Sequence, residues 1–513
     1  MKLSYKRTIF VGFAFFLICA FWQAYDTIVP KILTDKFGMN QTLSGAIMAL
    51  DNVLALFMLP LFGSLSDKSK SKRGRRTPFI MTGTIIACAA FICMSIADGI
   101  QLRNLKAISP ETPNSQEVIY LTEISDIRTP DGESVNIREK FTKEEFAAIS
   151  MYDENGNVSA DYTNYVVPAR RACVHKLTMA NPSALIMFIA ALLVTLIAMS
   201  TFRSPAVALM PDVTVKPLRS KANAVINLMG ALGGVIVLAL GIVFGTGRSE
   251  NAMMSYLPFF CVIAGIMLVS LAVFRLTVKE PEWAAQAHDE SLRLGIENEA
   301  DDEAAMSGSR KLTKSQLASL ILILASVALW YMGYNAVMSK YSLYASAILG
   351  LDYNTTLMIA TGVAVVSYIP IGFISSKFGR KKTIMAGVLL LGTAFFAASF
   401  MRSGSSMLVM NILFGMAGIG WAAINVNSYP MVAELSSGSD VGKYTGFYYT
   451  ASMAAQTLTP IFSGMLMDWK FTSLFPYAAI FVALSFVTML FVRHGDSKPE
   501  AKRGLEALDE MED

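Results

Sequence analysis

The sequence predicts an all-α membrane protein: twelve transmembrane helices in two pseudo-symmetric six-helix halves, with a small extracytoplasmic α+β insertion. Three observations predict it. Of 513 residues 54% are hydrophobic and only 16% charged, where soluble chains carry about 25% charged residues. The apolar residues arrive in runs of about 20, the length that crosses a ~30 Å hydrocarbon core at 1.5 Å per residue. The halves also repeat an ordered set of motifs. This hydrophobicity excludes a disordered chain, and unbroken apolar runs exclude an outer-membrane barrel. Five scattered cysteines exclude a disulfide scaffold, and a formal charge of +4 gives no reason to expect nucleic acid.

The spans lie near 8–30, 41–63, 77–97, 183–209, 222–246, 255–276, 314–337, 354–374, 383–401, 406–428, 444–467 and 472–492. The first lacks a small-residue cleavage site after a short apolar core and is expected to be retained. Lys68, Lys70, Lys72, Arg73, Arg75 and Arg76 follow the second span, and Lys377, Arg380, Lys381 and Lys382 follow the eighth. By the positive-inside rule these loops, and with them both termini, are cytoplasmic. The expected site is the cell membrane.

Residues 1–97 and 183–277 then form the first half, 313–493 the second, and 494–513 a cytoplasmic tail. Residues 98–182 form the outer insertion, with turns at Pro130-Asp131-Gly132 and Asn155-Gly156, an extended apolar stretch at Val118–Leu121, and a capping box at Thr142/Glu145. The acidic segment 278–312 reads as a solvated linker. Cys173 stands alone in the insertion, so no internal disulfide forms there.

The repeat is explicit. Gly63-Ser-Leu-Ser-Asp67-Lys68 and Arg73-Gly74-Arg75-Arg76-Thr77 answer to Gly372-Phe-Ile-Ser-Ser376-Lys377 and Gly379-Arg380-Lys381-Lys382-Thr383. Tyr25-Asp26 and Lys31 answer to Tyr334-Asn335 and Lys340, and an offset of 222 sets Asp212 on Glu434 and Arg203 on Asn425. Such a loop anchors the interface with its cations; repeated in both halves, it points to a hinge.

On these residues the chain resembles the major facilitator superfamily. Ser66-Asp67-Lys68…Arg73-Gly74-Arg75-Arg76-Thr77-Pro78 and Ser204-Pro205-Ala206-Val207-Ala208-Leu209-Met210-Pro211-Asp212 are similar to motifs of sucrose–proton symporters. Gly420-Trp421…Asn425-Val426-Asn427 and Gly446-Phe447-Tyr448-Tyr449…Gln456…Pro460 resemble the glycoside–pentoside–hexuronide cation symporters. The resemblance implies the major facilitator fold and import of a sugar, an α-linked disaccharide or other glycoside, with a proton, or alternatively a sodium ion, as coupling ion. It also implies a cytoplasmic gating network of Gly63, Asp67, Arg73, Arg75, Arg76, Asp212, Glu434, Gly372 and Arg380. The chain departs where sucrose carriers place an arginine and an acid: Val207 and Leu196 stand there. Coupling is therefore to be sought among this chain's own charges.

A charge at mid-bilayer costs at least ~2.5–3.5 kcal/mol. Asp51, Asp26 and Arg203 are such charges, and all three histidines lie outside the spans. Burial favours a neutral carboxyl and a neighbouring guanidinium favours a charged one, so a movable pair could load and release one proton. The bland alternative is a permanent Asp–Arg pair joining helices. A sugar site needs rings for pyranose faces and fixed polar groups for hydroxyls. Trp22, Tyr25 and Asp26 share a helix face, Trp330, Tyr334 and Asn335 are their counterparts, and Asn227, Asn425, Asn427 and Gln456 add polar groups. Packing and helix–helix contact are the competing explanation for each.

No enzyme, cofactor or metal is expected: thirty methionines lie dispersed without paired His or Cys, and no nucleophile or phosphate-loop motif occurs. The expected partners are a small sugar and the lipid bilayer, with the chain a monomer. The competing functional readings are a drug–proton antiporter with a mostly apolar cavity, a non-transporting sugar sensor, and an outer enzyme on a membrane anchor.

Overall fold

The computed structural model describes residues 3–124, 126–215, 218–293, 313–433, 435 and 441–496. Its helices in chain order begin with α1 (Tyr5–Lys31), α2 (Gln41–Asp67) and α3 (Thr77–Asn104). A cap follows, built from α4 (Ser115–Leu121), β1 (Ile127–Arg128), β2 (Ser134–Val135), α5 (Ile137–Lys140), α6 (Lys143–Ala147) and α7 (Val167–Ala180). Then come α8 (Ser183–Asp212), α9 (Arg219–Phe244), α10 (Leu257–Thr277) and α11 (Glu280–Arg293). The second half holds α12 (Lys314–Tyr344), α13 (Tyr353–Phe378), α14 (Arg380–Ala398), α15 (Met407–Ala433), α16 (Val441–Trp469) and α17 (Leu474–Leu490).

Twelve of these are long, at the twelve expected places, and ten are long and apolar enough to cross a membrane by length and composition. They form two six-helix halves, each with its own apolar core. Side chains such as Phe57, Val243 and Leu276 point out of the bundle. In water that would be a liability; in a bilayer it is the lipid-facing surface. Both first helices of the halves end in a π-turn, Ile32–Lys36 after α1 and Ala345–Leu349 after α12, so the repeat extends to a local irregularity.

The cap is ordered and more helical than expected. Gly132 (φ +95°) and Gly156 (φ +77°) turn the chain where predicted, the first between β1 and β2. Thr142 and Glu145 close their capping box, and that backbone bond holds the Glu145 carboxyl below its usual range. Val118–Leu121, expected to be extended, is the end of α4, which buries Ser115 and Ile119 at i and i+4. The insertion also begins later than residue 98, because α3 runs on to Asn104. Asp98 on that last stretch pairs with Lys36 at 2.7 Å, both side chains fully buried. Cys173 lies in the cap core with its thiol pushed up by burial.

The linker departs from expectation as well. Residues 280–293 are the helix α11, solvated along much of its length but anchored to the bundle by buried Glu280 and Trp283. Arg7 stacks over that ring at 5.3 Å and bonds Gln286 at 2.7 Å. Residues 294–312 lie outside the described residues.

Candidate functional site

A cavity of ≈ 180 Å³ lies between the halves, lined by Trp22, Asp26, Met48, Asp51, Asn52, Arg203, Asn335, Met338, Ser339, Gln456 and Pro460. Helices α1, α2 and α8 of the first half contribute Trp22, Asp26, Asp51 and Arg203; α12 and α16 of the second contribute Asn335 and Gln456. Three charges thus share one small space. Asp51 accepts a bond from Asn52 at 2.8 Å, and the Arg203 guanidinium lies 5.4 Å from the centre of the Trp22 ring. Among the described residues Arg203 forms no ion pair with either aspartate, so the permanent Asp–Arg stitch is absent from this conformation.

Two donors on the lining, Trp22 Nε1 and Asn335 Nδ2, are buried without a hydrogen-bond partner. Buried polar atoms are nearly always paired, so an unpaired pair on one cavity suits a hydroxyl-bearing ligand. At ≈ 180 Å³ the space is below the ~300–1,000 Å³ usual for ligand pockets. A ligand larger than this space would enter only as the halves move.

Other candidates lie off this lining. Tyr25 and Trp330 are wholly buried, one stacked on Phe21, the other in the core of the second half. Tyr334 lies face to face with Trp421, centroids 3.7 Å apart, so one ring face is already used. Asn427 is buried and donates to Ala423 O at 2.9 Å, whereas Asn425 and Asn227 are exposed on α15 and α9. Sequence reasoning passed over Asn52 and Ser339. The first adjoins Asp51, and the second follows Asn335 by four residues, a same-face spacing that could have found it.

The basic loop forms a second, compact site at the opposite end from the cap. Arg76 bonds Asp67 at 2.5 Å and Asp212 at 2.8 Å, and also meets Ser66; Arg75 reaches Asp212 at 3.4 Å. These pairs tie the α2–α3 loop to the end of α8. A β-carbon on Gly63 would stand 2.9 Å from Ser204 Oγ, so glycine sets the close approach of α2 to α8. Arg73 is exposed. In the second half Arg380 donates to Pro430 O at 3.5 Å, and nothing lies within 4 Å of a β-carbon at Gly372. Glu434 lies outside the described residues.

Each loop has an anchor that the sequence did not announce. Glu280 accepts from Arg76 N and Thr77 N, both at 2.8 Å, and from Thr77 Oγ1 at 2.7 Å, capping α3. Asp496 accepts from Arg380 N at 2.7 Å and Lys381 N at 3.2 Å, capping α14. Gly74 (φ +108°) and Gly379 (φ +95°) stand against these carboxylates, where a side chain would meet both strain and collision.

The fold agrees with solved transporters. The chain matches a structure described as the inward open conformation of the xylose transporter XylE from E. coli, at TM-score 0.55 and 14% identity, covering 98% of this chain and 100% of that one. A peptide transporter POT in complex with sulfate matches at TM-score 0.61 and 10% identity, covering 95% and 93%. Curated relatives match over shorter stretches. The Bacillibactin exporter of Bacillus subtilis (strain 168) is 30% identical over 127 residues, 23% of this chain and 31% of the exporter. A protein of Escherichia coli (strain K12) whose name, YagG, carries a provisional glycoside/cation symporter assignment is 32% identical over 68 residues, 13% and 15% of the two chains. The chain thus spans less than a third of the length of the curated relatives it matches. Residues 10–102 match the model for MFS/sugar transport protein. Residues 173–368 and 355–509 match the model for the Major Facilitator Superfamily, and with most of its length so matched the chain belongs to that superfamily of multi-pass membrane transporters.

Proposed function

We propose that the chain imports a small glycoside, up to an α-linked disaccharide, in symport with a proton by alternating access of its two halves. The observation that carries this reading is the cavity between the halves, where Asp26, Asp51 and Arg203 share a space with unpartnered Trp22 and Asn335 donors. The donors suit sugar hydroxyls, and the Trp22 ring suits a pyranose face. Two carboxylates near a guanidinium that is ion-paired to neither among the described residues can exchange a proton as the halves move. The sugar-transport family match over residues 10–102 supports the substrate class. With the basic-loop end read as cytoplasmic, the cap faces outside.

The similarity to the Bacillibactin exporter favours a second reading, an exporter or drug–proton antiporter. Such a carrier calls for a mostly apolar cavity, whereas Asn52, Asn335 and Gln456 join the three charges here. Counterflow of labelled sugars in proteoliposomes, with pH and sodium gradients imposed separately, distinguishes the two. Sugar accumulation driven by the pH gradient is the expected result. No sugar counterflow, with proton-driven efflux of an apolar cation instead, overturns the reading.

A further inference from the structure

We propose that the cap is a releasable strap: it holds the two halves together at its own end of the bundle, and its detachment from the second half is a step in opening that end.

The cap leaves from α3 and returns into α8, so both its covalent roots lie in the first half. It is also fastened there. Arg171 pairs with Asp35 at 2.8 Å, His175 Nδ1 lies 3.1 Å from Gly38 O, and Thr178 accepts from Gln101 of α3 at 2.8 Å. Tyr152 donates to Glu250 at 2.5 Å, and Met253 of the α9–α10 loop packs into the cap's apolar core. A shared core and a buried network make the cap and first half one body.

The cap nevertheless reaches three loops of the second half. Arg128 donates to Asp468 O at 3.2 Å, Thr472 N donates to Pro130 O at 3.2 Å, and Thr472 Oγ1 donates to Asp131 at 3.3 Å. Those bonds seat the β1–β2 turn on the α16–α17 loop. Ser403, between α14 and α15, donates to Val158 O, and Val158 also presses on Gly350 after α12. Beneath the seat lies a cavity of ≈ 390 Å³ whose walls come from the cap and from both halves.

These two sets of contacts differ in kind. The attachments to the first half include a fully shared apolar core, which takes in Met253. Among the described residues those to the second share no such core and consist of a few polar bonds, the Lys470–Asp131 pair, the Val158–Gly350 contact and Arg171 over the Phe471 ring, each worth little by itself. When the halves part at this end the weaker set breaks, and until then it adds to the closed state.

The test uses the full chain in nanodiscs, with its five cysteines replaced by serine and spin labels at Arg248 and Phe400, one at the cap end of each half. Pulsed electron–electron distances report opening without a known substrate. The variant Arg128→Ala/Asp131→Ala should raise the long-distance population at least threefold. The variant Tyr152→Phe, which loosens the cap only from its own half, should leave the distribution unchanged, and a matched melting curve confirms that each variant is folded. A second pair, Asp131→Cys/Thr472→Cys, oxidised to its disulfide before thioether-linked labels are attached, should abolish the long-distance population and restore it on reduction. A release variant indistinguishable from its parent, or an oxidised pair that still opens, overturns the proposal.

Discussion

Asp26, Asp51 and Arg203 line one cavity without forming an ion pair among the described residues. A closed ion pair would have been structural, since breaking a buried one costs about 3–5 kcal/mol. An open set is free to change protonation as water enters and leaves. Asp26→Asn and Asp51→Asn, measured separately, should leave counterflow within about threefold while at least one abolishes accumulation against a pH gradient. Wild-type accumulation in both variants would remove the carboxylates from coupling. Trp22 serves twice, as a cavity wall and as the ring beneath Arg203. Stacking worth about 1.4 kcal/mol corresponds to a factor of ten in affinity. Trp22→Ala should therefore raise the transport KM about tenfold, with Trp22→Phe nearer to the parent. A change in maximal rate alone would assign the ring to helix packing.

At the scale of elements, the loop between α2 and α3 is held by unequal partners. Asp67 is 58% exposed and meets one arginine; Asp212 is 18% exposed and meets two. Exposed ion pairs contribute about 0–1 kcal/mol, and partly buried, hydrogen-bonded ones more. Asp212→Asn should slow turnover several-fold more than Asp67→Asn in single-turnover exchange, with substrate affinity little changed in both. The reverse order would show that the exposed pair controls the loop. Glu280 gives the complementary case, because it satisfies two backbone donors at the start of α3. Loss of such a cap costs about 0.5–2 kcal/mol, so Glu280→Ala should lower the melting temperature in detergent by about 2–5 °C. An unchanged melt would mean water replaces the carboxylate at no cost. The loop's arginines and Asp67 were readable because they lie within ten residues of each other; Glu280 was not, because its partners are some 200 positions away. The same limit explains α4. Val118–Leu121 has strand-like residues, but burial of Ile119 in the cap core overrides that local preference.

At the scale of the molecule, the long apolar runs and the duplicated loops were enough to predict two six-helix bodies, because each run must satisfy its own backbone bonds in lipid. How those bodies meet was written only in pairs, Lys31 with Lys340 among them. Lys31 donates to Thr246 O at 2.9 Å and, across the interface, to Ser346 at 3.3 Å; Lys340 donates across it to Gln41 O at 3.0 Å. Both are at most 1% exposed, and neither forms an ion pair among the described residues. Asp468 of α16 meanwhile accepts from Gln41 N at 2.6 Å and Thr42 N at 2.8 Å, capping α2 of the opposite half. The closed cap end thus buries two ammonium groups against neutral oxygens, an arrangement that hydration on opening would relieve. Replacing each lysine by a flexible apolar residue of similar length removes that relief, so Lys31→Met and Lys340→Met should favour the closed state. Exchange should fall about tenfold for each ~1.4 kcal/mol of lost hydration, while the melting temperature holds or rises. Parental exchange rates in the double variant would show that the ammonium groups do not bias the transition. A lower melting temperature would show instead that their bonds across the interface outweigh the cost of burying them.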